Sequence, residues 1–258
     1  YKVRVLLQKE KEIREISAKD LVSKKIVSGK LVAYYLARVQ QLYEKYGLPA
    51  KALRFREVAA NDRAFYSKET WDFEVETSLG WLELIANNYR TDYDLKGHGQ
   101  ASKKDLSVLD ENNKRFIPHV WEISIGVDRT FYAILEHAYR EEGEGEKKRV
   151  FLSLKPQLAP VDFCLFPLIS KEGLPEKAKE IYQELRQCYS VFYDEAGSIG
   201  KRYARADEVG VPFCLTIDFD SLNDHSVTIR ERDSIKQKRV KIKDLKNTIY
   251  ELLIGEKF

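Results

Sequence analysis

The sequence predicts two domains of different class: an α+β domain built on an antiparallel sheet, then an α/β domain whose sheet is mostly parallel. Three observations carry this. Between 71 and 76, Trp71, Phe73 and Val75 alternate with Asp72, Glu74 and Glu76, and an apolar run at 81–85 follows beyond Gly80, the pattern of an antiparallel hairpin. From 161 onward strand-like and helix-like runs alternate, at 161–168, 175–187, 191–193, 199–208 and 213–217, an order that implies a largely parallel sheet flanked by helices. Between the two patterns, Pro156 and Pro160 mark a segment suited to neither helix nor ladder. The domains are therefore set at 1–157 and 158–258.

The remaining elements follow from local chemistry. Residues 3–7 read as a short strand and 10–15 as a charged turn or strand edge. Ser17 with Asp20 reads as a capping box opening a helix. A longer helix runs over 30–46 and Gly47 closes it. Its Tyr34, Tyr35, Tyr43 and Tyr46 share helical spacing with Leu31, Leu36, Val39 and Leu42, so they are read as packing rather than as a nucleic-acid surface. Residues 53–57 form a strand or loop, and 118–126 a strand. The helix after it, 129–139, aligns Phe131, Ile134, Leu135 and Ala138 on one face as a core helix. Residues 140–149, with two glycines and mixed charge, read as a solvated loop, and 150–154 as a strand. The chain closes with a strand at 227–230 and a helix over 242–254.

Composition bounds the function. A length of 258 residues with 43% hydrophobic and 33% charged residues suffices for two cores. A net charge of +3 sets up no global basic field, so a nucleic-acid partner would be met by local patches. The densest lies within 230–243, where Arg230, Arg232, Lys236, Lys238, Arg239, Lys241 and Lys243 face only Glu231 and Asp233 in that stretch. Cys164, Cys188 and Cys214 are odd in number and widely spaced, which argues against a disulfide frame or a zinc site and fits a reducing, cytoplasmic setting. Nothing approaches the roughly 20 apolar residues that span a bilayer, so no membrane partner is expected.

The chemistry concentrates in the strand Val120-Trp121-Glu122-Ile123-Ser124-Ile125-Gly126. Side chains on a strand alternate faces, so Glu122, Ser124 and Gly126 point one way and Trp121, Ile123 and Ile125 the other. A carboxylate and a hydroxyl thus line one floor, and the strand runs directly into the helix bearing Arg129. A second carboxylate, Glu83, sits in an apolar run and needs a partner or solvent. His98, in a polar segment, is read as a surface histidine rather than a general base.

The strand, turn and helix over 118–139, ending Ser124-x-Gly126-x-Asp128-Arg129, resemble motif 3 of class II aminoacyl-tRNA synthetases, and Glu122-x-Ser124 narrows the likeness to glycyl-tRNA synthetases of the archaeal and eukaryotic type. Other stretches agree in family order: Arg54-Phe55-Arg56, Trp71-Asp72-Phe73-Glu74, Gly80-Trp81-Leu82-Glu83, Arg90-Thr91-Asp92-Tyr93-Asp94-Leu95, Leu158-Ala159-Pro160 and the stretch from Gly197 to Arg205. One stretch departs: where relatives read Gly-x-Ala-Asp-Arg, this chain reads Ala86-Asn87-Asn88-Tyr89-Arg90.

The resemblance implies a class II catalytic domain, incomplete, followed by an anticodon-binding domain. It implies ligation of glycine to tRNA(Gly) with ATP and Mg²⁺ in a homodimer. Glu122 and Ser124 would hold glycine; Glu83, Arg90, Gly126 and Arg129 would hold ATP, with Glu83 also on the metal and Arg129 and Glu83 as the catalytic pair. Arg230, Arg232 and Lys236 would bind tRNA. Motifs 1 and 2 of the class are not found in these residues, so the chain is expected to be a piece of a longer protein and not to form glycyl-adenylate alone. Two alternatives stay open: a non-catalytic synthetase-like tRNA-binding or accessory protein, and a sibling synthetase for threonine, proline or histidine.

Overall fold

The computed structural model describes residues 1–145, 148–255 and 258. These fall into two compact units, Tyr1–Ile134 and Leu135–Phe258.

The first unit is organised by a six-stranded sheet in the order β2-β1-β3-β4-β5-β8. Its strands are β1 (Lys2–Leu6), β2 (Arg14–Ser17), β3 (Leu53–Glu57), β4 (Glu69–Thr77), β5 (Gly80–Thr91) and β8 (Val120–Ile125). Every neighbouring pair is antiparallel except β1 with β3. The expected hairpin is present, with Gly80 at φ 94° closing the turn from β4 to β5, a conformation that costs glycine little. On one face Val3, Val5, Leu53, Phe55, Trp71, Phe73, Val75 and Ile85 are buried together with Leu36, Val39 and Tyr43 of helix α2 (Lys30–Lys45). The short helix α1 (Ala18–Ser23) is capped as expected, the Ser17 hydroxyl accepting from the Asp20 amide at 3.0 Å. Helix α3 (Tyr93–Ser102) and a two-stranded ribbon, β6 (Val108–Leu109) with β7 (Arg115–Phe116), lie between β5 and β8 in sequence.

Helix α4 (Val127–Ala138) begins in this unit; Ile134, Leu135 and Ala138 of its expected apolar face are at least partly buried, but Phe131 is not. Phe131 is 64% exposed, while Ala133 and Ile134 pack into the core and the Thr130 hydroxyl meets the Tyr43 hydroxyl at 2.8 Å. That hydrogen bond turns the helix so that its Thr130 and Ala133 side faces α2. On α2 itself Tyr43 is buried as predicted, but Leu31 and Tyr34 are exposed.

The second unit carries a five-stranded sheet in the order β12-β11-β13-β14-β15, from β11 (Phe163–Pro167), β12 (Val191–Tyr193), β13 (Phe213–Ile217), β14 (Ser226–Glu231) and β15 (Gln237–Lys241). Helices α5 (Leu174–Leu185) and α8 (Leu245–Leu253) bury Leu174, Ile181, Leu245 and Ile249 with Phe163, Leu165 and Leu215. Helix α6 (Ile199–Val209) packs with Cys164, Phe166 and Cys214 in a separate cluster. The sheet is mixed rather than mostly parallel. β12, β11 and β13 are parallel, but β14 and β15 are antiparallel to their neighbours. A parallel crossover takes about a dozen residues or more. Only Asp218, the short helix α7 (Phe219–Asp224) and His225 in the left-handed region separate β13 from β14, so the chain folds straight back.

The expected strand at 150–154 appears as β10 (Arg149–Leu152), and it pairs as a ribbon with β9 (Tyr139–Glu142), which takes up the start of the stretch expected as a solvated loop; Glu146 and Lys147 of that stretch lie outside the described residues. The ribbon belongs to the second unit, so the compact units divide earlier than the boundary expected at 157. What ties it there is a close approach. Gly210, at φ 88° after α6, leaves no room for a side chain: a Cβ would lie 2.8 Å from Leu154 Cδ1 and 3.2 Å from the Leu152 carbonyl oxygen. Gly210→Ala combines a left-handed backbone with overpacking and should lower stability by about 2–4 kcal/mol, read from the urea midpoint of the chain.

Candidate active site

Register places the polar side chains of four strands on the sheet face opposite the core. β3 pairs Arg54 with Glu74 and Arg56 with Asp72. β4 pairs Asp72 with Ala86 and Thr70 with Asn88, and β5 pairs Ala86 with Ser124 and Asn88 with Glu122. An irregularity beside Phe73 and Glu74 shifts the register by one, so Glu83 stands opposite Glu74 on the same face. Without that shift the period of two would turn Glu83 toward the core.

The floor is crosslinked by charge. Glu74 accepts from Arg54 Nε at 2.7 Å and from Arg56 Nε at 2.8 Å, and Arg56 Nη2 reaches Asp72 at 2.5 Å. The Arg54 guanidinium also stacks on Trp81, 3.8 Å from the ring centroid. Burial and the nearby charge of Glu83 push the Asp72 carboxyl up to about 6 against the pull of Arg56.

Glu122, 32% exposed at its side chain, takes both of its contacts on Oε2, from Arg90 Nη1 at 2.6 Å and Asn88 Nδ2 at 3.4 Å. Among the described residues Oε1 takes no hydrogen bond, and Ser124, two residues along the same strand face, is exposed. Arg90, expected at the ATP phosphates, is held here by Asp94 through two hydrogen bonds, at 2.6 and 2.5 Å, and lies on the Tyr66 ring. Those bonds and the one to Glu122 hold its guanidinium charged well beyond the usual range. Arg129, on the first turn of α4, donates to the Glu83 carbonyl at 3.0 Å, and its Nη1 is 4.0 Å from the Glu83 carboxylate. Gly126 joins β8 to α4, its amide donating to the Leu84 carbonyl at 2.8 Å. A Cβ at Gly126 would meet nothing nearer than 3.4 Å, so the fold itself does not require glycine there. Glu83, Gly126 and Arg129 are thus together at one end of the floor, and Glu122, Ser124 and Arg90 are linked along it. Among the described residues no three His, Cys, Asp or Glu side chains group as a metal cage.

Asp72, Glu74 and Asn88 are floor residues that sequence reading did not single out. The alternation over 71–76 put Asp72 and Glu74 on the polar face, but nothing local shows that arginines from β3 lie over them.

The basic strip is reorganised by the fold. Arg230 is 5% exposed, bonds both oxygens of Asp207 at 2.9 and 3.0 Å, and lies over the Tyr203 ring. Arg232, 2% exposed, donates to the Gly210 and Leu154 carbonyls, each at 2.7 Å, and pairs with Asp233. Both are buried and engaged within the domain, so as they stand neither reaches an RNA phosphate. Their density in sequence suggested an exposed basic strip, and the structure instead gives both side chains internal partners. Arg239 and Lys241 are met by Asp218 and Asp224 from the α7 segment. Lys236 is exposed and remains available.

An antiparallel floor leading through Gly126 into an arginine-bearing helix, with a second unit matched over residues 162–252 by the family model described as anticodon binding domain, has the parts of a class II aminoacyl-tRNA synthetase. Within that class, the chain is 46% identical to the glycine–tRNA ligase of Clostridium acetobutylicum over 207 residues, covering 80% of this chain and 44% of the relative. It is 43% identical to that of Thermobifida fusca over 233 residues, 86% of this chain and 50% of the relative. The corresponding ligase of Methanocaldococcus jannaschii is 33% identical over 329 residues, 96% of this chain and 56% of the relative. The chain is a homologue of the glycine–tRNA ligases, bacterial and archaeal alike, and spans about half the length of the curated relatives it matches.

Two outcomes check this geometry. A carboxyl raised from 3.8 to about 6 keeps in the folded state a proton that the unfolded state has released, so between those values the folded chain should lose stability as pH rises. A urea-unfolding series over that range should carry this slope, and Asp72→Asn should flatten it. Asp207→Asn removes the counter-charge of buried Arg230 and of Arg149, whose Nε lies 2.9 Å away. It should cost about 3–5 kcal/mol in the same assay, whereas Lys236→Ala should stay within about 0.5 kcal/mol of the parent.

Proposed function

We propose that the chain supplies the amino-acid pocket and the anticodon-binding domain of a glycine–tRNA ligase. The observation that carries the reading is a carboxylate fixed at one oxygen and open at the other, Glu122, next to the Ser124 hydroxyl. In the first step the glycine carboxylate attacks the ATP α-phosphate, forming glycyl-adenylate and releasing pyrophosphate. In the second, a terminal ribose hydroxyl of tRNA(Gly) takes the glycyl group and AMP leaves.

Each residue has a task that follows from its chemistry. Glu122 accepts charge-assisted hydrogen bonds from the glycine ammonium, and Ser124 adds a hydroxyl beside it. Glycine has no side chain, so selection against alanine works by exclusion, an added methyl overpacking the site. Arg129 lies over the adenine, a cation–π contact of roughly 0.5–2 kcal/mol. Gly126 keeps the strand end open to the nucleotide. Arg90 turns from Glu122 toward a phosphate only by giving up a 2.6 Å ion pair, and in the arrangement seen it serves the amino-acid side.

Glu83 fits Mg²⁺: its carboxylate, 42% exposed, raises the pKa of Asp72 by its charge, the situation in which a hard cation with oxygen ligands is favoured. When bound with ATP, the ion supplies neutralisation of the triphosphate. Lys236 is retained as a tRNA contact, while the fold-bound Arg230 and Arg232 serve by shaping the domain. The homodimer and the cytoplasmic setting go with the same reading. Among the described residues no helix is long and apolar enough to cross a membrane.

The test is glycine-dependent ATP–pyrophosphate exchange by the complete enzyme carrying Glu122→Gln. Loss of the counter-charge should lower exchange by about a hundredfold or more while tRNA binding is unchanged. Near-normal exchange would remove Glu122 from the amino-acid site.

A further inference from the structure

Asn88 on β5 is buried and stands opposite Glu122 of β8 on the same sheet face. A run of short contacts leads to it. Ser67 Oγ lies 2.9 Å from Thr70 Oγ1, Thr70 Oγ1 donates to Asn88 Oδ1 at 2.8 Å, and Asn88 Nδ2 donates to Glu122 Oε2 at 3.4 Å. Ser67 and Thr70 are buried as well.

The chemistry of these groups gives the run a direction. An ionised carboxylate only accepts, so the Asn88 amide must turn its NH₂ toward Glu122. Its carbonyl oxygen then faces Thr70 and can only accept, so the Thr70 hydroxyl must donate to it. Ser67 has an acceptor of its own in the Glu69 carbonyl at 2.8 Å, so the direction of the run is set from the Glu122 end. The alternative amide orientation would set the amide oxygen against a carboxylate oxygen with no proton between them, which is unfavourable for the buried Asn88.

We propose that Asn88 is a positioning residue for the amino-acid site, its amide orientation locked by Thr70 so that, with Arg90, it pins Oε2 of Glu122 and leaves Oε1 to the substrate ammonium. This rests on the reading of Glu122 as the ammonium acceptor. Asn88 itself touches no substrate. It acts by keeping Glu122 in one rotamer, so its loss should weaken glycine binding and leave the nucleotide side, where Arg129 and Glu83 meet, unaffected.

The experiment is steady-state exchange by the complete enzyme, with KM measured separately for glycine and ATP. Asn88→Ala should raise KM for glycine about tenfold with KM for ATP within twofold. Thr70→Val keeps the shape of the buried side chain and removes its hydroxyl, the donor to Asn88, so it should raise KM for glycine in the same direction, whereas Thr70→Ser should restore the parent value. The double variant Asn88→Ala with Thr70→Val should be no worse than Asn88→Ala alone, because both cut one connection. Equal rises in both KM values, or an unchanged KM for glycine in Thr70→Val, would overturn the proposal. Absence of glycine-dependent exchange in the parent enzyme would instead overturn the functional reading beneath it.

Discussion

Everything at the candidate site depends on how β5 is paired on both sides. It gives one face of alternate residues to the core and the other to the floor, and it does so against β4 and β8 at once. A slip of one residue on either side would exchange the two faces completely. The buried set of Trp71, Phe73 and Ile85 therefore fixes where Asn88, Glu122 and Ser124 stand, although none of those apolar residues touches the floor. Hydrophobic burial sets the register, and the register sets the chemistry.

The polar face has its own requirement, since carboxylates packed this closely must be compensated. Glu74 is closed by two arginines and Asp72 by one, yet the Asp72 carboxyl is still raised by its burial and by Glu83. The floor is thus built with unspent negative charge beside the place where Arg129 and Glu83 meet. Glu122 is different: its two partners converge on one oxygen, so its compensation is one-sided.

Periodicity made much of this legible. The strands at 191–193 and 213–217, the hairpin beyond Gly80 and the cap at Ser17 follow from local residue order, and the structure has them. The direction of Glu122 and Ser124 followed from alternation alone. What was not legible depends on partners distant in sequence. The strip over 230–243 looked basic because Asp207, Asp218 and Asp224 lie outside it, yet they supply its counter-charges. Phe131 had the right spacing for a core face, but the Thr130 to Tyr43 hydrogen bond, between residues 87 apart, rotates the helix away from it. Of the ribbon, β10 was expected as a strand, but its partner β9 was missed because Tyr139-Arg140-Glu141-Glu142 is charged and leads into a glycine-bearing stretch.

The embedding of Arg232 bears on how the second unit comes into being. Its guanidinium is closed by carbonyls 22 and 78 residues away, those of Gly210 and Leu154. A polypeptide beginning after the proline-bracketed segment would still contain every strand of the five-stranded sheet, but would bury this cation with one acceptor missing. The compact second unit takes in the ribbon upstream of the prolines, so the segment ending at Leu154 closes a cation that lies 78 residues further along the chain.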